Sequence, residues 1–277
     1  MAVSDRARRP GPTVRLRVEE TTHERTRQRE DRVVTEEPLE IRVASPGAQA
    51  QRVWVTMRTP GQDFELAAGF LVHEAIVRPE WIRQVAYCTD ESLDAEQEFN
   101  VVTVNVDRPV ELPERTIGAQ SSGSSACGVC GKDSVAAALA SPPVSRWEGA
   151  DLSADVVRHL PGALRERQSV FAKTGGAHAA ALASSDGTLW VVREDVGRHN
   201  AVDKVTGARV LAGQSPAEAA LVVSGRAGFE LVQKAAAAGV GALVAVGAPT
   251  SLSVSLAERS GLALFGFTDE SRTVRYA

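Results

Sequence analysis

The sequence predicts an α/β protein: a mostly parallel sheet covered by helices, joined to a smaller β-rich N-terminal part. Three observations carry this. From about residue 170 onward, short apolar runs alternate with helix-length segments, the pattern of parallel strands linked by helical crossovers. Gly213, Gly239 and Gly261 fall where those helices need C-terminal caps. Before residue 112 the apolar residues instead alternate with a period of two, most cleanly at Val102, Val104 and Val106.

Taken in order, residues 1–32 hold nine arginines against six acidic residues with little apolar periodicity. They read as a basic, disordered tail with one short strand at 14–18. Residues 33–112 read as a β-rich subdomain with strands at 40–43, 53–58, 85–88 and 99–106. A helix at 63–77 lies between them, with Asp63 as its cap and Leu66, Phe70, Leu71 and Val77 as its apolar stripe. Residues 113–131 are small, polar and glycine-rich, which predicts a flexible surface loop. Residues 132–277 read as the α/β domain. A helix at 132–140 ends at Pro142-Pro143. Strands follow at 169–173, 178–184 and 189–194, the last two joined by a hairpin turn at Asp186-Gly187. The chain continues as helix 200–212, strand 220–223, helix 228–238, strand 242–246, helix 251–260 and strand 262–267. Ser215-Pro216-Ala217-Glu218 has capping-box spacing, with proline at the first helical position.

Composition narrows the function classes. The chain has 277 residues, 43% hydrophobic content and a formal charge of −4, enough length for a real core and too little charge for wholesale disorder. The acidic balance, with a pI near 5.8, argues against general nucleic-acid binding. No run of about 18 apolar residues occurs, so no membrane span is expected. The N-terminal arginines have no apolar run behind them, so no secretory signal is expected. Three cysteines make no disulfide framework. The expected compartment is the reducing cytoplasm. Only Lys132, Lys173, Lys204 and Lys234 are lysines among 31 basic residues. Each stands in or near a Gly-, His- or Cys-containing segment, where a compact ammonium differs from a planar guanidinium.

Cys127-Gly-Val-Cys130-Gly is the most chemically loaded segment. A structural zinc site needs four ligands, and the only other cysteine is Cys88, which reads as buried packing. A zinc deaminase site needs an upstream His-x-Glu, which this chain lacks. No metal is therefore expected. A thioredoxin-like redox pair and a sulfur relay remain. In a relay, one thiolate carries a sulfane sulfur as a persulfide and the second thiol assists its release. Flanking glycines give reach, and Lys132 at a helix start lowers the thiol pKa. The spacing does not choose between these two.

Several strand-end segments converge on a ligand-binding reading. Gly175-Gly176-Ala177-His178 lets a ligand approach closely, and His178 can donate to a phosphate. The run from Arg193 to Asn200 places Arg198 and His199 at a strand end, where parallel α/β sheets bind ligands. Ser224-Gly225-Arg226-Ala227-Gly228 opens a helix whose amides and Arg226 suit an anion. It is neither a Walker A loop nor a Rossmann fingerprint. Gly247-Ala248-Pro249-Thr250-Ser251 repeats the arrangement. Together they predict one crevice for a phosphate-bearing ligand.

These residues carry a resemblance. The Cys127–Cys130 loop, Gly175-Gly176-x-His178 and the long string from Glu194 to Lys204 resemble the FdhD family of sulfur carriers that activate formate dehydrogenase. Asp63 to Leu71, Ser224-Gly225-Arg226 and Ala248 to Leu252 add to it. The resemblance implies a cytidine-deaminase-like three-layer core and a homodimer. It implies a sulfurtransferase that takes sulfur from a cysteine desulfurase and passes it to the bis(molybdopterin guanine dinucleotide) molybdenum cofactor, for the formate dehydrogenase catalytic subunit. By motif match Cys127 carries the persulfide and Cys130 assists. The cofactor-binding stretch falls on Phe267, Thr268, Asp269, Glu270, Ser271 and Arg272, with His178, Arg198, His199 and Arg226 as further contacts. The chain departs from the family pattern at Gly228, Asp269 and Val274, and an acid at 269 is expected to repel a diphosphate unless Arg272 or Arg275 compensates. The alternatives are a cofactor chaperone that moves no sulfur and a redox-regulated binding module.

Overall fold

The structure, a computed structural model, describes residues 10–88, 99–112, 143 and 145–277. Its strands form three sheets. The first is a two-stranded ribbon of β1 (Thr13–Thr21) and β2 (Thr26–Val34), paired antiparallel along their whole length. Over residues 13–32 an ordered ribbon stands where a disordered tail with one short strand was expected; residues 1–9 lie outside the described residues. Cross-strand ion pairs such as Arg27–Glu20 at 2.7 Å and Arg29–Glu20 at 2.9 Å supply what apolar alternation does not, so hydropathy is a poor signal here.

The second sheet has the order β4-β3-β6-β5. It comprises β3 (Glu37–Ala44), β4 (Gln51–Arg58), β5 (Ile82–Tyr87) and β6 (Val101–Val106). Leu39, Ile41, Val43, Val102, Val104 and Val106 face one way and are buried. Against them lies α1 (Asp63–His73), through Leu66, Ala67 and Leu71. The helix ends four residues before the expected limit, and Asp63 is not its cap. The N-cap is Gln62, in the left-handed region at φ 54°. Asp63 instead accepts from buried Arg58 at 2.9 Å and from the Tyr87 hydroxyl at 2.6 Å.

The third sheet has the order β12-β11-β10-β9-β7-β8. Its strands are β7 (His178–Ala183), β8 (Leu189–Asp195), β9 (Ala220–Val223), β10 (Ala242–Ala245), β11 (Ala263–Gly266) and β12 (Val274–Arg275). Only β9–β10 and β10–β11 pair in parallel; the other three pairs are antiparallel. The sheet is mixed rather than mostly parallel. The Asp186-Gly187 hairpin reverses β8 against β7, and β7 enters antiparallel to β9.

Helices cover both faces of this sheet. On one side α2 (Ala154–Glu166) buries Val157, Leu160 and Leu164 against the strands. On the other side lie α4 (Arg198–Leu211), α5 (Phe229–Ala238) and α6 (Ser251–Ser260). Gly239 and Gly261 cap α5 and α6 with φ 74° and 71°. Residues 169–173, read as a strand, form the short helix α3 (Ser169–Thr174). Glu194 accepts from the Val170 and Phe171 amides at 2.8 and 2.7 Å, which supplies the missing helix-end partner. The residues from Ser215 to Glu218 open no helix. Ser215 bonds the Ala217 amide, and Glu218 pairs with Arg209 of α4. The predicted helix 132–140 lies outside the described residues.

The two cored parts meet where α1 crosses α4. A Cβ on Gly69 would sit 1.9 Å from the Asp203 carbonyl oxygen, and one on Gly207 would sit 1.8 Å from that of Glu65. Only glycine at both positions permits this backbone contact. It brings the start of α4 beside the β4–α1 turn, which positions the site. No helix among the described residues is long and apolar enough to cross a membrane.

Candidate functional site

The C-terminal ends of β8 to β11 and the start of β7 lie at one end of the mixed sheet. Three helices begin there. The N-caps of α4 and α5, Gly197 and Gly228, supply no side-chain cap, and a Glu230 carboxylate oxygen stands 3.5 Å from the Cβ position of Gly228. Thr250 caps α6 by accepting from the Ser253 amide.

The strand-end loops are tied into one rim. Gly247 donates to the Gly225 carbonyl at 2.9 Å, and Phe267 donates to the Gly247 carbonyl at 3.2 Å. Ala227 and Pro249 form a further bridge. A Cβ on Gly247 would meet the Arg226 backbone at 3.0 Å. Phe267 holds a left-handed φ of 48° and is exposed, with the Arg272 guanidinium 5.4 Å from its ring centre.

Of the residues expected to contact a ligand, the structure gathers His178, Arg198, His199 and Arg226 near this rim. Arg226 is exposed. Arg198 is half-buried, and its Nε has no hydrogen-bond partner. His178 lies 3.7 Å from the Cβ position of Gly225. Burial, reinforced by the Arg198 charge, holds His178 below the usual histidine range. Burial, then the Lys234 and Arg198 charges, lower His199 to about 4. Both shifts favour the neutral imidazole over the cation at physiological pH. The His199 Nε2 is also buried without a hydrogen-bond partner, 3.9 Å from Glu230.

The 267–272 segment divides. Thr268 is buried, bonded to the Thr273 hydroxyl at 2.9 Å. Glu270 lies against α2, 3.3 Å from the Cβ position of Gly162. The Asp269 carboxylate accepts from the Ser271 hydroxyl and amide and the Arg272 amide at 2.5, 2.8 and 3.0 Å. These bonds, led by the Ser271 hydroxyl, lower its pKa. The carboxylate thus shapes the turn while staying ionised and exposed, so the expected conflict with a diphosphate stands. Cys127 and Cys130 lie outside the described residues.

Sequence reasoning missed the framework beneath the rim. Asp195 and Lys204 are both fully buried and paired at 2.7 Å. Asp195 also accepts from the Thr59 amide, the Gly197 amide and Asn200 at 3.1, 2.8 and 3.0 Å. Lys204 donates to the Thr59 carbonyl at 2.9 Å, and Asn200 to the Met57 carbonyl at 2.8 Å. Much of the long Asp195-to-Lys204 string thus clamps α4 to the β4–α1 turn. Deeper in, Asp203 accepts from Lys234 at 2.8 Å and pairs with His73 Nδ1 at 2.6 Å. Burial opposes ionisation of Asp203, but Lys234 and His73 outweigh it and its pKa is lowered. The visible signal was the rarity of lysine: Lys204 and Lys234 are both buried ion-pair partners, whereas Lys173 is exposed.

No group of three His, Cys, Asp or Glu residues that could hold a metal ion occurs among the described residues. A small cavity lined by Trp147, Leu152, Gly241 and Phe265 lies near the opposite ends of the strands and offers no such convergence of charge.

Fold and geometry together define an α/β protein that gathers His178, Arg198, His199 and Arg226 at one end of a mixed sheet. Comparisons with known proteins give this class a family. The model of the FdhD/NarQ family matches residues 34–277. A sulfur carrier protein FdhD from Nocardia farcinica is 47% identical over 260 residues, covering 92% of this chain and 89% of that protein. One from Mycolicibacterium paratuberculosis is 46% identical over 264 residues, covering 93% and 94%. A crystal structure of a chain assigned as a formate dehydrogenase accessory protein from Desulfotalea psychrophila superimposes with a TM-score of 0.71 at 22% identity, covering 95% of this chain and 96% of that one. The chain belongs to the FdhD/NarQ family.

Proposed function

We propose that this protein is a cytoplasmic sulfur carrier, acting as a sulfurtransferase between a cysteine desulfurase and the molybdenum cofactor used by formate dehydrogenase. The observation that carries this reading is the strand-end cluster. Arg198 opens α4 and Arg226 lies two residues before the N-cap of α5, in a chain whose relatives are named sulfur carrier proteins. The substrate acceptor in this reading is bis(molybdopterin guanine dinucleotide) molybdenum. Its phosphates suit the arginines and helix ends, and Phe267 under Arg272 offers a flat face for a base or pterin ring.

The chemistry falls to Cys127 and Cys130. The Cys127 thiolate attacks the outer sulfur of the donor persulfide. A new S–S bond forms, the donor's S–S bond breaks, and the donor leaves as a thiolate. Cys130 thiolate then attacks the inner sulfur of Cys127. This closes a Cys127–Cys130 disulfide and expels the outer sulfur as hydrosulfide toward the acceptor. A dithiol reductant restores both thiols. A homodimer and a cytidine-deaminase-like core complete the reading; helix layers on both faces of the mixed sheet support the latter.

The test is sulfur loading. The intact protein is incubated with a cysteine desulfurase and cysteine, then weighed by mass spectrometry. One added sulfur, removable by reductant and absent from Cys127→Ala, is expected. An unloaded wild-type protein that still binds the cofactor would overturn sulfur transfer and leave a cofactor chaperone.

A further inference from the structure

Among the described residues the β1–β2 ribbon has an unclaimed edge. There β1 pairs only with β2, and Val14 and Leu16 on it are exposed. Two-stranded ribbons are marginal alone, and an open edge is a template for another strand. The family model begins at residue 34, the last residue of β2, while the solved relative covers 95% of this chain.

The charge order along β1 fits one occupant. Arg15 and Arg17 fill its first half, Glu19 and Glu20 its second. Such a strand is complementary to itself when run antiparallel. Two side chains lack strong partners among the described residues. Arg17 has no ion pair among the described residues, and Glu19 is held only by the Gln28 amide at 3.1 Å. Glu20, by contrast, is taken by Arg27 and Arg29. Like-charge contacts select the register. A two-fold axis through Leu16 sets Arg15 against Arg17 of the second copy, and one through Arg17 sets Arg15 against Glu19 twice but also Arg17 against itself. An axis through Val18 sets Arg17 against Glu19 of the second copy, twice by symmetry, and Arg15 against Thr21. Opposed like charges destabilise a strand pair and opposite charges stabilise it.

We propose that β1 pairs edge to edge with β1 of a second copy of this chain, about an axis through Val18, making a four-stranded ribbon. The proposal rests on the homodimer reading above and assigns its interface.

The experiment measures self-association of the full chain by sedimentation equilibrium. It compares wild type, Arg17→Glu, Glu19→Arg and an equimolar mixture of the two variants. In the Val18 register each variant alone opposes like charges, whereas the mixture pairs Glu at 17 with Arg at 19 across the axis. The wild type is expected to dimerise. Each variant should weaken association by about tenfold, a loss of about 1.4 kcal/mol, and the mixture should recover it as a heterodimer. Recovery also separates lost pairing from a damaged ribbon, since unfolded ribbons would not reassociate on mixing. A monomeric wild type overturns both the dimer and this interface. Dimers that persist in both single variants, or a mixture that stays monomeric, overturn the interface alone. Loss of binding only to another protein, with self-association unchanged, does the same.

Discussion

Asp195 and Lys204 form a fully buried ion pair at 2.7 Å, nine residues apart along the chain. The strand end and the second turn of α4 are locked together by it, with Thr59 bonded to both partners. The pair is the support on which Arg198 and His199, expected from the sequence to contact a ligand, stand.

Removing one partner should therefore cost stability. Lys204→Met leaves the Asp195 carboxylate buried without its cation and should lower unfolding free energy by about 3–5 kcal/mol. Urea unfolding measures this. A loss below about 1 kcal/mol would mean the pair does not hold the turn.

The crossing of α1 and α4 predicts a second effect. Gly69→Ala and Gly207→Ala each place a methyl group inside a neighbouring backbone carbonyl. Each should destabilise by about 1–3 kcal/mol or more, although alanine favours helix. Thermal unfolding of the two variants checks this, and a raised Tm in either would contradict the close crossing.

Acid should weaken the fold through its histidines. His199 is lowered to about 4 in the folded chain, against about 6.5 unfolded. Between those values the unfolded state binds the extra proton, so stability is complete above the unfolded pKa and falls as pH drops toward 4. The slope from one such group approaches about 1.4 kcal/mol per pH unit. His73 and His178 are shifted in the same direction. Unfolding measured from pH 7.5 to 4.5 should show this, and His199→Gln should flatten it. An imidazole titration near 6.5 by NMR would contradict the neutral assignment.

Ligand binding separates Arg226 from Asp269. Arg226→Ala should weaken binding of a guanosine diphosphate probe by about tenfold, as loss of a charge-assisted contact implies, with Tm unchanged because the side chain is exposed. Asp269→Asn keeps an oxygen for the turn and removes the charge. Because the carboxylate stays ionised and exposed despite its bonds to Ser271 and Arg272, removing its charge should tighten binding, by up to about threefold once solvent screening is counted. Calorimetric titration reads this, and weaker binding would mean the carboxylate does not face the phosphates.

Legibility in the sequence followed the strength of local signals. Strand 220–223 and helix 251–260 were readable to the residue, because a short apolar run and a glycine stop leave little choice. The helix α2 went unread; Pro161 sits inside it and masks its periodicity. The segment at 169–173 looked like a strand because Val170 and Phe171 favour one, yet Glu194, a distant residue, caps it as a helix. The β1–β2 ribbon was hidden by its charge. At the site, Arg198, His199 and Arg226 were legible as strand-end residues. The clamp of Asp195, Lys204, Thr59 and Asn200 was not, since its partners come from elements more than a hundred residues apart.

The hydrogen bonds that link the loops at Gly225, Gly247 and Phe267 also constrain how this surface can change. Each loop takes its height from its neighbour, so an insertion in one would displace all three. Diversification of ligand preference is thereby channelled into side-chain replacement on a fixed frame rather than into loop lengthening.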